Sequence, residues 1–86
     1  MKILKFTAPW CAPCKAMSVY WDEAVQTSTF DVEEFNVDDN PDKLQKYNIK
    51  SVPTMLIVDD EGVVLSNKTG SLSRQQLTDW FAEFKE

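Results

Sequence analysis

The feature that most constrains the fold of this chain is a pair of cysteines, Cys11 and Cys14, between a short apolar run and a helical pattern. Ile3, Leu4 and Phe6 belong to the apolar run, which starts at the second residue and is typical of a buried strand. The cysteine pair is therefore predicted to lie where a strand turns directly into a helix.

The helix after this strand is predicted from about Cys11 to about Thr27. Apolar side chains recur through the segment at helical spacing: Cys14, Met17, Trp21, Ala24 and Val25. Pro13 is compatible with this helix, because the N–H group that proline lacks would have no partner in the first helical turn.

A second strand and a second helix are predicted next. The strand is indicated by four apolar residues, Phe30, Val32, Phe35 and Val37. Asn40 followed by Pro41 is typical of a helix N-cap and a first helical position. The short helix that they begin carries Leu44 and Tyr47.

Residues 54–58 and 63–65 predict a hairpin. Both segments favour strands, and they are joined by the turn residues 59–62, which end in Gly62. Pro53 stands directly before the first of these strands, a position where prolines in sheets are common. The two strands are expected to be antiparallel.

The last element is an amphipathic helix. Ser73 and Gln76 fit a capping box, and Leu72 and Leu77 fit a hydrophobic staple. The apolar face that docks on the sheet is formed by Leu77, Trp80, Phe81 and Phe84. The resulting β-α-β-α-β-β-α order predicts an α/β fold. We expect a four-stranded mixed sheet with helices on both faces, in a single domain of residues 1–86.

Composition excludes several classes of function. Nine basic and fourteen acidic residues give a net charge of −5, the wrong sign for binding a nucleic acid backbone or an anionic membrane. The chain has no histidine to act as an imidazole base, and two cysteines cannot complete a zinc site. The first apolar run is too short for a signal peptide or a membrane span. We therefore expect a cytoplasmic protein that binds no nucleic acid, membrane or metal.

The first turn of the predicted helix favours a thiolate. Unpaired backbone N–H groups and the helix dipole stabilise an anion there, and the spacing of Cys11 and Cys14 lets them form a disulfide. Cys11, at the end expected to be exposed, is the predicted nucleophile, and Cys14 the predicted resolving thiol. Lys15 adds positive charge nearby. Half of a zinc site and a permanently closed structural disulfide are the alternatives.

The segment Phe6–Lys15, FTAPWCAPCK, resembles the active-site segment of thioredoxins. Four later segments are similar to the family in order and spacing: 36–41 (NVDDNP), 47–49 (YNI), 51–54 (SVPT) and 70–73 (GSLS). The resemblance covers the chain from Ile3 onward and implies a thioredoxin-like fold. The family's usual leading strand and helix are missing, so the sequence resembles a short form of about glutaredoxin size.

The resemblance also implies a substrate groove beside the cysteines. In thioredoxins the proline that matches Pro53 is cis and lies against the cysteine pair. A cis Val52-Pro53 bond would keep metal from the sulfurs and let the Val52 backbone pair with an extended substrate. The implied groove consists of Trp10, Ala12, Pro13, Ser51, Val52, Pro53 and Gly70. A strand-start proline at Pro53, a plain turn glycine at Gly70 and a partly buried ring at Trp10 are the structural alternatives.

The function implied by the resemblance is reduction of disulfides in target proteins through Cys11 and Cys14. Such a protein binds no cofactor, acts as a monomer and is recharged by an NADPH-dependent thioredoxin reductase. A glutaredoxin-like protein recharged by glutathione is an alternative. Against it, Ala12 and Pro13 replace the usual Pro-Tyr pair, and a Gly-Gly after the hairpin is absent. A binding module that uses the fold as a scaffold is another alternative.

Lys5 and Glu34 depart from the family pattern. Thioredoxins carry a buried aspartate six residues before the first cysteine and a lysine on the adjoining strand, and this chain has Lys5 and Glu34 at those positions. If the exchanged charges pair, Lys5 favours the thiolates and Glu34 is the candidate proton acceptor for Cys14. The alternative is that one or both reach solvent as surface charges.

Overall fold

A computed structural model describes residues 1–26 and 28–84 of the chain. In chain order its elements are β1 (Lys2–Thr7), α1 (Ala12–Gln26), β2 (Asp31–Asn36), α2 (Pro41–Lys46), β3 (Thr54–Val58), β4 (Val64–Thr69) and α3 (Arg74–Glu83). The predicted element order and the α/β class are confirmed. Thr27, where we placed the end of the first helix, lies outside the described residues.

The four strands form one mixed sheet in the order β2-β1-β3-β4. β1 runs parallel to β2 and antiparallel to β3, which in turn is antiparallel to β4. The central position of β1 and β3 explains why their side chains are almost all buried, whereas β2 and β4 are exposed sheet edges. In this register Lys5 lies between Glu34 of β2 and Met55 of β3.

Apolar clusters fill both faces of the sheet. On one face, α1 and α3 pack on the sheet through Ile3, Met17, Trp21, Ala24, Met55, Ile57, Leu77, Trp80 and Phe81. Neighbouring strand residues point the other way, so Leu4, Phe6, Leu56 and Val58 form a second cluster, against which Leu44 of α2 packs. Full burial of a Val, Leu, Ile, Phe or Met side chain in these clusters stabilises the fold by about 1.5–3 kcal/mol.

The N-termini of the two later helices are built differently. At α3 the predicted capping box is present: Gln76 N–H donates to Ser73 Oγ at 3.1 Å, and Ser73 N–H donates to Gln76 Oε1 at 2.8 Å. At α2, Asn40 occupies the predicted N-cap position, but its side chain donates to the Asn36 carbonyl at 2.8 Å instead of capping the helix. The side chain of Asn40 therefore ties α2 to the end of β2.

Candidate active site

Cys11 and Cys14 form a disulfide, with their Cα atoms 5.3 Å apart. β1 ends at Thr7 and α1 begins at Ala12, so the pair lies at the predicted strand-to-helix junction. The turn between the two elements is closed by the N–H group of Cys11, which donates to the Ala8 carbonyl at 3.2 Å. The C-x-x-C spacing thus brings the two cysteines within the Cα–Cα range of an ordinary disulfide.

The two sulfur atoms have different surroundings. The backbone N–H group of Cys14 donates to the Sγ atom of Cys11 at 3.1 Å. This group belongs to the first turn of α1, whose N–H groups have no carbonyl partner within the helix. Together with the helix dipole, it favours negative charge on Cys11 when the disulfide is reduced.

Both cysteines are buried, and each is 3% exposed. The expectation that Cys11 lies exposed is therefore wrong for the disulfide form. The reason is that both side chains pack into the second apolar cluster, which also contains Ala8 and Val37. The accessible surface beside the pair is formed instead by Ala12 and Pro13, which are exposed.

Pro53 and Gly70 are joined across the start of the hairpin. The Val52-Pro53 bond is cis, as expected, and the Pro53 carbonyl accepts a 2.8 Å hydrogen bond from Gly70 N–H. Gly70 has φ +92°, a conformation that strains other residues, and a Cβ atom there would have no neighbour within 4 Å. The turn thus requires glycine for its backbone conformation, and the space in front of it is open.

Trp10, Ser51 and Val52 line one surface depression of about 130 Å³. Trp10 is 65% exposed, and its indole Nε1–H group donates to Asp38 Oδ2 at 3.1 Å. Most of Trp10 is therefore accessible, which favours the groove assignment over a partly buried ring. Of the seven groove residues implied by the resemblance, these three are brought together directly.

Sequence reasoning missed four further residues that line this depression, namely Val37, Leu44, Ile49 and Lys50. The apolar residues among them gave only a core signal, because a side chain at the rim of a core has the same spacing as one inside it. Lys50 gave no signal beyond its place directly before Ser51-Val52-Pro53.

Lys5 and Glu34 lie opposite each other in the register of β1 and β2. Lys5 Nζ is 3.9 Å from Glu34 Oε1, which makes an ion pair but is too long for a hydrogen bond. The side chain of Lys5 is 4% exposed and that of Glu34 is 55% exposed. The two residues are therefore paired, but only Lys5 is buried. Glu34 reaches solvent, because β2 is an edge strand.

The ammonium of Lys5 also lies over the Trp21 ring, with Nζ 4.6 Å from the ring centroid. Burial lowers the pKa of Lys5 below its ordinary value of 10.5, and the carboxylates of Glu34 and Asp22 oppose this shift. The cation–π contact and the two carboxylates stabilise the charged form, so a positive charge is held inside the fold.

Within residues 1–26 and 28–84, no group of three or more His, Cys, Asp or Glu side chains could hold a metal ion. In the same part of the chain, no helix is both long and apolar enough to cross a membrane.

The family model described as Thioredoxin matches residues 1–83. The chain belongs to the thioredoxin family. It is 34% identical to the thioredoxin of Haemophilus influenzae, with 91% of this chain and 74% of that protein covered. It is 35% identical to the thioredoxin of Acidithiobacillus ferridurans, with 88% of this chain and 71% of that protein covered.

Solved thioredoxin structures have the same fold. A mutant thioredoxin from Halobacterium salinarum superposes with a TM-score of 0.88 at 24% identity, covering 98% of this chain and 74% of that chain. Thioredoxins are protein-disulfide oxidoreductases that act on disulfide targets, are reduced by thioredoxin reductase and need no cofactor. The Cys11–Cys14 bond is accordingly a redox-active disulfide.

Proposed function

We propose that this chain reduces disulfide bonds in target proteins. The observation that carries the proposal is the hydrogen bond from Cys14 N–H to Cys11 Sγ at the N-terminus of α1, 3.1 Å long. It favours the thiolate on one sulfur of a pair that closes reversibly, which is what an exchange reaction needs.

The reaction proceeds in two exchanges. The Cys11 thiolate attacks one sulfur of the target disulfide, forms a mixed disulfide and releases the other target sulfur as a thiolate. Cys14 then loses its proton and attacks Cys11 Sγ, which releases the second target thiolate and closes the Cys11–Cys14 bond. Two electrons pass to the target, and a second dithiol reverses the sequence to recharge the protein.

Lys5 and Glu34 assist the thiols without contacting the target. The buried ammonium of Lys5 favours thiolates over thiols, since an opposite charge lowers the pKa of an acid. Glu34 accepts the proton of Cys14 through water, because its exposed carboxylate borders an open depression with Ala8 and Pro9, on the turn that leads to the cysteines.

The target segment lies extended across the surface beside the cysteine pair and pairs with the Val52 backbone. The residues assigned to this groove are Trp10, Ala12, Pro13, Ser51, Val52, Pro53 and Gly70. The exposure of Trp10 and the open space in front of Gly70 support the assignment, since both leave room for a second chain.

We assign the recharging step to an NADPH-dependent thioredoxin reductase and the work of the protein to the cytoplasm, where free thiols are maintained. The chain acts as a monomer and a single domain, so one cysteine pair serves one target at a time.

The test is insulin-disulfide reduction, measured as turbidity, with two electron supplies in parallel. NADPH with a thioredoxin reductase should sustain turnover, whereas glutathione with glutathione reductase should not. Faster turnover with glutathione would mean that glutathione, and not a thioredoxin reductase, recharges the protein. Failure with both supplies and with dithiothreitol, or a double Cys11→Ser, Cys14→Ser variant that keeps the biological role of the protein, would favour a binding module instead.

A further inference from the structure

The depression beside Trp10 has an apolar wall that the exchange chemistry does not use. Val37 and Leu44 line it on the side of β2 and α2. Ile49 and Val52 line it on the side of the loop that leads from α2 to the cis Val52-Pro53 bond. A volume of about 130 Å³ is close to the roughly 150 Å³ of an apolar cavity that holds a benzene-sized group. It therefore has room for one apolar side chain of a bound segment.

The depression lies close to the reacting sulfur. Trp10 forms part of its wall and immediately precedes Cys11 in the chain, so their Cα atoms are about 3.8 Å apart. An extended chain advances about 3.3 Å per residue. We therefore place a side chain that enters the depression within about three residues of the target cysteine.

Lys50 is the one charged residue among the described residues that line the depression. It is exposed, and it also lines the neighbouring depression of about 210 Å³ that contains Asn67 and Thr69. The nearby carboxylate of Asp38 accepts the Trp10 indole N–H. Lys50 thus brings one positive charge to the lining of the depression.

We infer that this depression gives the protein a preference among target segments, for those that carry an apolar side chain next to an acidic one within about three residues of the reducible cysteine. The inference rests on the proposed reductase function and names the class of substrate. The apolar side chain moves out of water into the depression, which is favourable. Its acidic neighbour is attracted by the positive charge of Lys50. Lys50 is then a specificity residue, which carries a positive charge in a chain whose net charge is −5.

The experiment uses short peptides with one cysteine, each held as a mixed disulfide with thionitrobenzoate. Release of the chromophore by the reduced protein is followed by stopped flow. Four flanks are compared, Leu-Glu, Leu-Lys, Ser-Glu and Ser-Lys, placed before the cysteine in one series and after it in another. In at least one series, replacing Leu by Ser should slow the reaction by about tenfold. Replacing Glu by Lys should slow it about two- to fivefold at low salt.

Lys50→Gln should abolish the difference between Glu and Lys flanks and keep the difference between Leu and Ser flanks. Lys46→Gln is the matched control, because Lys46 is an exposed lysine of α2 that does not line the depression. The charge preference should also fade in about 0.5 M salt, because salt screens exposed charges.

Equal rates for all four flanks in both series would overturn the inference and leave the reductase function intact. Equal effects of Lys50→Gln and Lys46→Gln would overturn it too, since they would mean that only net charge matters. No chromophore release from any peptide, together with no insulin reduction, would overturn the proposed function itself.

Discussion

The N–H group of Cys14 donates a 3.1 Å hydrogen bond to the sulfur of Cys11 across the disulfide that joins them. The donor lies in the first turn of α1, and the acceptor is the residue just before that helix. Because only Cys11 receives this bond in the described structure, the two thiols of the reduced protein will differ in acidity although both are buried to the same extent.

We predict that Cys11 of the reduced protein reacts with iodoacetamide at neutral pH several-fold faster than Cys14, because the hydrogen bond from the helix N–H group favours the thiolate on Cys11. Peptide mapping after short exposure measures both rates. Preferential labelling of Cys14, or equal labelling, would reverse or remove the assignment of nucleophile and resolving thiol.

Cys14→Ser should accumulate mixed disulfides with target proteins through Cys11, because the second exchange has lost its nucleophile. Non-reducing gels of the variant mixed with oxidised insulin will show the adduct. Cys11→Ser is the control and should give none, since Cys14 lacks the helix N–H bond. Adducts on Cys11→Ser alone would contradict the proposed order of attack.

The roles of Glu34 and Lys5 predict changes in the pH profile of insulin reduction. Glu34→Gln should slow the resolving step by about tenfold, less than the roughly hundredfold or more that a well-positioned base contributes, because the carboxylate is exposed. Lys5→Met should move the profile to higher pH, because the thiolates lose a nearby positive charge. Glu33→Gln is the control, since Glu33 pairs with Lys2 instead. Profiles that superimpose for all the proteins would remove both roles.

Lys5→Met should raise the free energy of unfolding at pH 7 by about 1 kcal/mol, because it removes a buried charge. Glu34 loses its ion-pair partner at little cost, since its carboxylate is exposed to water. Burial lowers the folded-state pKa of Lys5, so between that pKa and 10.5 the unfolded chain binds more protons. Wild-type stability must therefore rise with pH through this window, and the advantage of the variant must shrink. Below the window, both states are protonated and the advantage is constant.

Urea denaturation of the oxidised protein at several pH values from 7 to about 10.5 measures this difference. Lys2→Met is the matched control, because Lys2 lies on the same strand but is exposed. A variant Lys5→Met that is less stable than wild type at pH 7 would mean that the contacts with Trp21 and Glu34 outweigh the cost of burial.

Gly70 and Gly62 provide a matched pair for testing the groove. Both have positive φ, +92° and +85°, and at neither would a Cβ atom have a neighbour within 4 Å. Replacing either by alanine should therefore destabilise the fold by a similar amount, about 1 kcal/mol. Gly70 is hydrogen-bonded to Pro53 and so lies beside the groove, whereas Gly62 is not. Of the two variants, only Gly70→Ala should therefore slow the reduction of insulin more than that of a small disulfide. Equal activity losses would reduce Gly70 to a plain turn glycine.

Local patterns in the sequence predicted most of the elements and the centre of the site. The spacing of Cys14, Met17 and Trp21 placed α1, and Ser73 with Gln76 placed the start of α3. Such signals succeed because helix periodicity and capping depend on residues a few positions apart.

Other local signals were incomplete because distant residues compete for the same groups. Asn40 was predicted as a side-chain cap, but its amide binds the Asn36 carbonyl at the end of β2. Val32 was predicted as one of the apolar residues of the second strand, and it is 38% exposed because β2 lies at the edge of the sheet. The sequence identified a strand there but not which neighbours would cover it.

The sequence by itself determined the cysteine pair, its strand-to-helix junction and, through the family resemblance, the cis proline opposite it. Only the tertiary structure decided that Cys11 is buried, that Lys5 is enclosed while Glu34 reaches solvent, and that Trp10 and Lys50 share a depression. The first group depends on residues close together in the chain. The second depends on which side chains from distant segments fill the space around a residue, and the spacing of neighbours along the chain does not specify that.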